Sequence, residues 1–387
     1  MKMIESLTNN STGHKCIVIT VGNHKGGCGK TTLSYALAVN AFEQGKRVLL
    51  VDMDQQGTLG KLFNIDGNDY KYSDYTLSKM YNRCRNIKSH AVASTPLLLC
   101  ESEDPTSKAS VSIILGDHGL KDVVENTEEI RGQAETAECF RRIIDSYRLY
   151  FDLIIFDTTP VIEKVKSCVH ALAVSDCIVM PVDALKAVDE IDQTMQAVTK
   201  FNQKDPNVLI VCTKYRKEPL YFSRMFDEQC RKNNVPMCIK YVKSKHVPRV
   251  AGHDERRNTY YRILTKIFPD NMCKVGIPDQ TDIEVNSYTG ANKENREIID
   301  DVCKEILLKA CSGAKGEIEN LCNEKVWSSK RELLNKYLEI VHEYNVKNMC
   351  IKKDAVAFKT SDKLSVVFDT EAVNRRAALE REAHRDR

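Results

Sequence analysis

The sequence holds 15 cysteines, yet no two of them are spaced C-x-x-C and no cysteine–histidine cluster has zinc-site spacing. A zinc ribbon and a thioredoxin-like redox motif are thereby excluded. No apolar run approaches the roughly 18 residues that cross a bilayer. The opening stretch MKMIESLTNNSTGHK lacks the apolar segment of a secretory signal. Neither internal repeats nor low-complexity segments occur. Net charge is also scant, +3 from 57 Lys/Arg against 54 Asp/Glu, so the total implies nothing about a polyanionic partner. These absences predict a cytoplasmic protein with reduced thiols, most of them serving as small buried hydrophobes. The 387 residues, 42% apolar and 29% charged, are ordinary for one large globular domain or two or three smaller ones.

What is present begins with CIVITV (16–21), a β-branched apolar run ending at Gly22-Asn23, which reads as a buried strand. After a glycine-rich stretch, Leu33, Leu37 and Ala41 recur at helical spacing, and Gly45 offers a C-terminal cap. RVLLVDMD (47–54) is a second buried strand, which completes a βαβ unit. FDLIIFDTTP (151–160), DCIVMPVD (176–183) and NVLIVCTKY (207–215) are three more strands, separated by helical patterns over about 162–174 and 186–203. This alternation predicts a doubly wound α/β fold, a mostly parallel sheet with helices on both faces. A ligand would sit at the carboxyl ends of the strands. Residues 58–150 read as an elaboration, with helical YTLSKMYN and short strands PLLLC and VSIIL. Domain limits follow as 1–13 for an N-terminal stretch, 14–312 for the α/β domain and 313–387 for a small α+β extension. In that extension Ser329-Lys330-Arg331-Glu332 reads as a capping box, 355–368 as a hairpin, and Thr370 as the cap of a last charged helix.

The glycine-rich stretch is HKGGCGKTT (24–32). It nearly matches the phosphate loop G-x-x-x-x-G-K-[ST], but His24 stands where the first glycine belongs, and a second lysine, Lys25, precedes the glycines. Gly26, Gly27 and Gly29 let backbone N–H groups turn inward around phosphate oxygens, at the N-terminus of the following helix. Lys30 would reach the β- and γ-phosphates, and the Thr31 hydroxyl would bind Mg²⁺. Cys28 and Thr32 complete the loop.

KGGCGKTT resembles the deviant phosphate loop K-G-G-x-G-K-[ST] of the ParA/MinD family of ATPases. VLLVDMDQQG (48–57) is similar to that family's D-x-D-x-Q-G stretch, and FDLIIFDTTP to its Walker B strand, with Thr159 replacing a proline. The likeness covers about 14–312, poorly between 58 and 150. It implies ATP and Mg²⁺ as cofactors and a homodimer that sandwiches ATP. Lys25 would cross to the partner's phosphates, as an arginine finger does. Asp54 would orient the attacking water, and Asp54 and Asp157 would serve the metal with Thr31, Asp157 through a water. Asp52 and Gln56 would support the site.

Thr213 and Lys214 begin the stretch TKYR, which stands where GTPases carry N/T-K-x-D. Arg216 replaces the aspartate and cannot accept guanine's hydrogen bonds, which favours adenine. From 200 to 266 there are 16 Lys/Arg against 6 Asp/Glu. Basic residues interleaved with tyrosines suit a phosphate-contacting surface, with Lys243, Lys245, Arg249, Arg256 and Arg257 as candidates for sequence-independent DNA contacts. No helix-turn-helix fits before Cys16. The leading expectation is a DNA-partition ATPase that is nucleoid-associated when ATP-bound and released after hydrolysis stimulated by a ParB-like centromere-binding partner. A MinD-like membrane-positioning or other cargo-positioning ATPase is the alternative. The former needs an amphipathic tail, and EAVNRRAALEREAHRDR has too little apolar area, so no membrane partner is expected. A nitrogenase-reductase-like cluster carrier would need paired cysteines such as Cys139 and Cys168.

Overall fold

The computed structural model describes residues 15–86, 95–160, 162, 165–183, 190–215, 220–236, 259–274, 276–278, 293–311 and 318–360. The first βαβ unit runs β1 (Ile17–Val21), α1 (Lys30–Glu43) and β2 (Arg47–Asp52). The elaboration follows as α2 (Thr58–Lys61), α3 (Leu77–Asn86), β3 (Leu97–Glu101), β4 (Ser110–Ile114), α4 (Leu120–Arg131) and α5 (Gln133–Tyr147). Alternation resumes with β5 (Leu153–Asp157), α6 (Lys166–Val174), β6 (Cys177–Asp183), α7 (Glu190–Phe201) and β7 (Asn207–Tyr215). The remaining described elements are α8 (Leu220–Lys232), α9 (Thr259–Ile267), β8 (Ile277–Pro278), α10 (Lys293–Cys311) and α11 (Glu324–Thr360).

The strands form one eight-stranded sheet in the order β3-β4-β2-β5-β1-β6-β7-β8. Only β3 against β4 is antiparallel among the described pairs. β1, β5 and β6 are buried at every position, which is why they read as unbroken apolar runs rather than alternating ones. Period-2 geometry still divides their side chains. Ile17, Ile19 and Val21 of β1 enter one core with α1 and α10, whereas Val18 enters the other with α3 to α9 and the first half of α11. The helices therefore cover both faces. Helix α1 is wedged between sheet and α10, so it is apolar nearly all round, with Leu33, Tyr35, Ala36, Leu37, Ala38 and Ala41 buried. Gly45 closes it with φ +81° and an N–H to the Phe42 carbonyl (2.8 Å).

Register sets the position of the site. Val21 and Asp52 both pair with Asp157, and Asp183 pairs with Thr213. The last residues of β2, β5 and β1 thus end together, while β6 on the other side of β1 runs four residues past the Val179 that pairs with Val21. The chain order reverses there, and that crevice is where open α/β sheets bind ligands.

Two expectations for the C-terminal part are corrected. Helix α11 starts at Glu324, with the Asn323 Oδ1 accepting from the N–H groups of Lys325 (3.1 Å) and Val326 (3.3 Å), so Ser329 lies inside the helix and caps nothing. Residues 355–360 continue α11 instead of opening a hairpin. The alternation of AVAFKT also satisfies a helix, since short apolar runs do not fix the period. Residues 361–387, including the Thr370 cap, and 1–13 lie outside the described residues. Leu321, Trp327, Leu334, Tyr337, Ile340 and Val341 join the sheet's larger core.

Candidate nucleotide site

The missing first glycine has a structural replacement. Gly22 leaves β1 where an added Cβ would fall 2.8 Å from Ile162 Cδ1 and 3.2 Å from Thr158 Oγ1, so a side chain there would have to displace those two. Asn23 then bridges: its Nδ2 donates to the Pro181 carbonyl (2.8 Å) and its Oδ1 accepts from the Lys25 N–H (3.1 Å). His24 is buried, its backbone N–H and Nδ1 both meeting Thr194 Oγ1 at 3.3 and 3.0 Å. The turn is thus held by side chains rather than permitted by a glycine.

Gly27 (φ +74°) and Gly29 (φ +88°) adopt left-handed backbone, with no atom within 4 Å of where a Cβ would lie. Gly29 precedes α1 with no side-chain cap. The first-turn N–H groups of α1 are therefore available to an anion, with the helix dipole reinforcing it.

The two lysines are placed differently. Lys30 is buried and its Nζ donates to the Lys25 carbonyl across the loop (2.7 Å). The Lys25 carbonyl thus accepts from the ammonium as a phosphate oxygen would otherwise do. The Lys25 side chain is 42% exposed, its Nζ 3.9 Å from Glu190 on α7. That contact is long and solvated, worth little on its own.

Three carboxylates converge on the loop from β2 and β5. Asp157 is buried and accepts from Ser34 Oγ (2.9 Å). Burial pushes its carboxyl up to about 6, against the lowering pull of hydrogen bonds from Thr31 and Ser34 and of the Lys30 charge, while Asp54 raises it further. Asp52 is fully buried and raised well above the usual range by desolvation and by Asp157. It accepts from the N–H groups of Asp54 (3.0 Å) and Leu59 (2.9 Å), so it shapes the loop after β2 rather than facing a ligand. Asp54 is half-buried, and its Oδ1 accepts from the Gln56 N–H (3.0 Å). Hydroxyl and carboxylate oxygens beside an excess of negative charge form a donor set for a hard divalent cation. Mg²⁺ takes few protein ligands and keeps waters and phosphates, and among the described residues no group of three His/Cys/Asp/Glu side chains encloses a metal by itself.

Thr213 and Lys214 brace the loop. Thr213 Oγ1 donates to the Cys28 carbonyl (3.0 Å) and Lys214 Nζ to the Gly27 carbonyl (2.5 Å). Lys214 adopts φ +53°, a left-handed conformation that is uncommon for a non-glycine residue and clusters at functional sites. Thr32 is half-buried in the first turn of α1. Cys28 is buried, its thiol pushed up by desolvation, a space-filling environment rather than a reactive one. Cys139 and Cys168 are core residues. Ser34 and Thr194 were not legible as site residues, because each works through a partner far away in the sequence. Lys243, Lys245, Arg249, Arg256, Arg257 and Arg216 lie outside the described residues.

Beside the carboxylates opens a pocket of about 260 Å³ between Asp54 and Gln56 on one side and Thr159, Pro160, Lys166 and Ser167 on the other. The loops after β2 and β5, the start of α6 and the first turns of α4 (Leu120, Lys121, Val124, Glu125) line it.

The model of an AAA domain family, AAA_31, matches residues 16–210. The chain belongs to this family. It is a phosphate-loop ATPase domain of ParA/MinD type, and relatives of that type match about half of the chain. The sporulation initiation inhibitor protein Soj of Bacillus subtilis is 26% identical over 192 residues, 49% of this chain and 68% of that protein. The chromosome partitioning protein ParA of Myxococcus xanthus is 27% identical, covering 47% of this chain and 58% of that protein. An arsenical pump-driving ATPase of Escherichia coli is 33% identical over 148 residues, but this chain spans only 22% of its length. A putative plasmid partition protein of Borrelia burgdorferi B31, solved bound to AMPPNP, shares the fold at a TM-score of 0.51 and 19% identity, over 76% of this chain and 99% of that one. Among the described residues of this family member, no helix is long and apolar enough to cross a membrane.

Proposed function

We propose that this chain is an ATP-driven DNA-partition ATPase that dimerises around ATP, binds DNA without sequence preference in that state, and is released when a centromere-bound partner protein stimulates hydrolysis. The observation that carries it is the division of labour between two lysines of one loop, Lys30 buried into its own site and Lys25 directed outward from it. An outward lysine on a phosphate loop has work only if a second nucleotide faces it. The partition proteins among the relatives support the same reading.

The residues fit the ligands. Gly26, Gly27, Cys28, Gly29, Thr31 and Thr32 offer backbone N–H groups to the phosphates, and Lys30 would exchange the Lys25 carbonyl for phosphate oxygens. Thr31 and Asp157 would hold Mg²⁺, which supplies positive charge against the phosphate oxygens. Asp54, half-exposed and tethered only through its neighbour's backbone, is free to orient a water. Lys25 of one subunit would then neutralise charge developing on the other's γ-phosphate. The absence of an aspartate after Thr213-Lys214 favours adenine over guanine. The basic 200–266 stretch supplies the DNA surface, with Lys243, Lys245, Arg249, Arg256 and Arg257 contacting phosphates.

The test measures ATP hydrolysis, size by light scattering and DNA retardation, with wild type and Lys25→Ala side by side. The variant should bind ATP as wild type does, remain monomeric, and lose both hydrolysis and ATP-dependent DNA binding. DNA binding that ignores both ATP and Lys25→Ala sinks the proposal.

A further inference from the structure

The two loop residues that depart from an ordinary phosphate loop, His24 and Lys25, both face the first turns of α7, and His24 is hydrogen-bonded to them. Thr194 Oγ1 donates to the Glu190 carbonyl one turn earlier (3.0 Å) and meets His24 N–H and Nδ1. A hydroxyl has one hydrogen and two lone pairs. Thr194 Oγ1 thus has three close polar partners, the Glu190 carbonyl and the His24 N–H and Nδ1, with the ring nitrogen donating or accepting according to its tautomer. A shift of the loop at His24 therefore acts directly on Thr194 and through it on α7. Glu190, on the same turn, faces the Lys25 ammonium.

The other side of those turns carries a second contact. Asp192 Oδ1 accepts from Trp327 Nε1 on α11 (3.1 Å) and lies 3.7 Å from Arg331 Nε. Trp327 is nearly buried and stacks on Phe268 at 6.2 Å between ring centroids, with planes 16° apart. Glu190, Asp192 and Thr194 span about 6 Å of helix axis at a rise of 1.5 Å per residue. One short rigid piece thus touches the phosphate loop on one side and α11 on the other. α11 lies beyond the matched family region, which ends at residue 210.

We propose that the first turns of α7 transmit the state of the phosphate loop to α11, with Thr194 as the positioning residue on the loop side and the Asp192–Trp327 hydrogen bond as the reading contact. The idea rests on the nucleotide-binding part of the function proposed above. When phosphate takes Lys30 from the Lys25 carbonyl, the Asn23–Lys25 turn is freed to move, and Thr194 carries that movement to Asp192. α11 would then be the surface through which nucleotide state is displayed away from the dimer face.

Trp327 is the chain's single tryptophan, so its fluorescence reports this contact without labelling. The experiment titrates the full chain with Mg²⁺ and AMPPNP, following tryptophan emission and, separately, heat of binding. Wild type should show a saturable emission change with the same midpoint as the heat. Asp192→Ala should bind the nucleotide yet lose the emission change; Thr194→Val should lose it at saturating nucleotide whatever its affinity, and Thr194→Ser, which keeps the hydroxyl, should retain it. Heat of binding without an emission change in wild type overturns the inference while leaving nucleotide binding intact. An undiminished emission change in both Thr194→Val and Asp192→Ala overturns it as well. No heat in wild type would remove the nucleotide site and the inference together.

Discussion

Asp157 is the residue where the cost of holding the site shows most clearly. Its carboxyl titrates near 6 in the folded protein against an ordinary value near 3.8, so between those two pH values the folded state binds the extra proton. Stability then falls as pH rises from about 4 to about 6, the opposite of a salt-bridged aspartate. The shift corresponds to about 3 kcal/mol of strain carried above pH 6 at 1.36 kcal/mol per pKa unit. Asp157→Asn keeps an oxygen to accept from Ser34 and removes that strain. Without nucleotide, the variant should melt at a higher temperature than wild type at pH 7, and the gap should close toward pH 4. A thermal-shift series across pH checks it, and hydrolysis should be lost throughout. A second residue-scale outcome concerns Lys30. Lys30→Ala should abolish nucleotide binding in calorimetry, in contrast to Lys25→Ala, because only Lys30 is buried against its own loop. At this scale the sequence was readable wherever a residue belongs to a contiguous motif. The phosphate loop, Asp54 and Asp157 were singled out that way, and the structure brings them close together. Thr194 and Ser34 were not, since a lone hydroxyl in a helical pattern carries no mark of the partner 170 or 123 positions away that gives it a role.

Among the elements, the loop after β2 is the one whose shape is least negotiable. Gly116, which follows β4, approaches it so closely that an added Cβ would lie 2.0 Å from the Asp54 carbonyl oxygen and 3.2 Å from Asp52 Cγ. Gly67 in turn packs on Gly116, where a Cβ would meet its carbonyl oxygen at 2.2 Å. These are backbone atoms and cannot swing aside as a side chain can. Gly116→Ala should therefore displace the loop that carries Asp54 and destabilise the fold by about 1–3 kcal/mol, the range for overpacking. AMPPNP binding should fall less than hydrolysis, since the phosphate loop lies on β1 and α1; equal loss of both would show that Asp54 is not set by this contact. The elements themselves were largely legible: β7 falls on 207–215 as expected, β1, β2 and β6 within a residue or two, and β5 stops three residues before the expected end at 160. Fully buried parallel strands announce themselves as apolar runs. The packing of 58–150 against the loop was not legible, because a glycine says that space is short without saying what fills it. The hairpin expected at 355–368 failed over 355–360 for the complementary reason, that a short apolar alternation is compatible with either period.

For the whole molecule the question is what α11 contributes. Its first half places Trp327, Leu334, Tyr337, Ile340 and Val341 in the same core as β1 and β6, and the Tyr337 hydroxyl donates to the Pro236 carbonyl. Lys330 reinforces the attachment with an ion pair to Glu319 at 2.6 Å. Removing one large core side chain typically costs about 2–5 kcal/mol, and a whole domain is stable by only about 5–15 kcal/mol. Several such losses together exceed the total. A chain ended at Asn323 should therefore fail to give a cooperative thermal transition and should lose nucleotide binding with it, although every loop and carboxylate residue remains. Single changes grade the effect: Tyr337→Ala should lower the melting temperature strongly, and Tyr337→Phe only slightly, since the ring stays and one hydrogen bond goes. A chain ended at Asn323 that melts cooperatively and binds AMPPNP like the full chain would make α11 an accessory. Loss of folding makes it part of the ATPase core, the same core on whose edge the Asp192–Trp327 hydrogen bond is made.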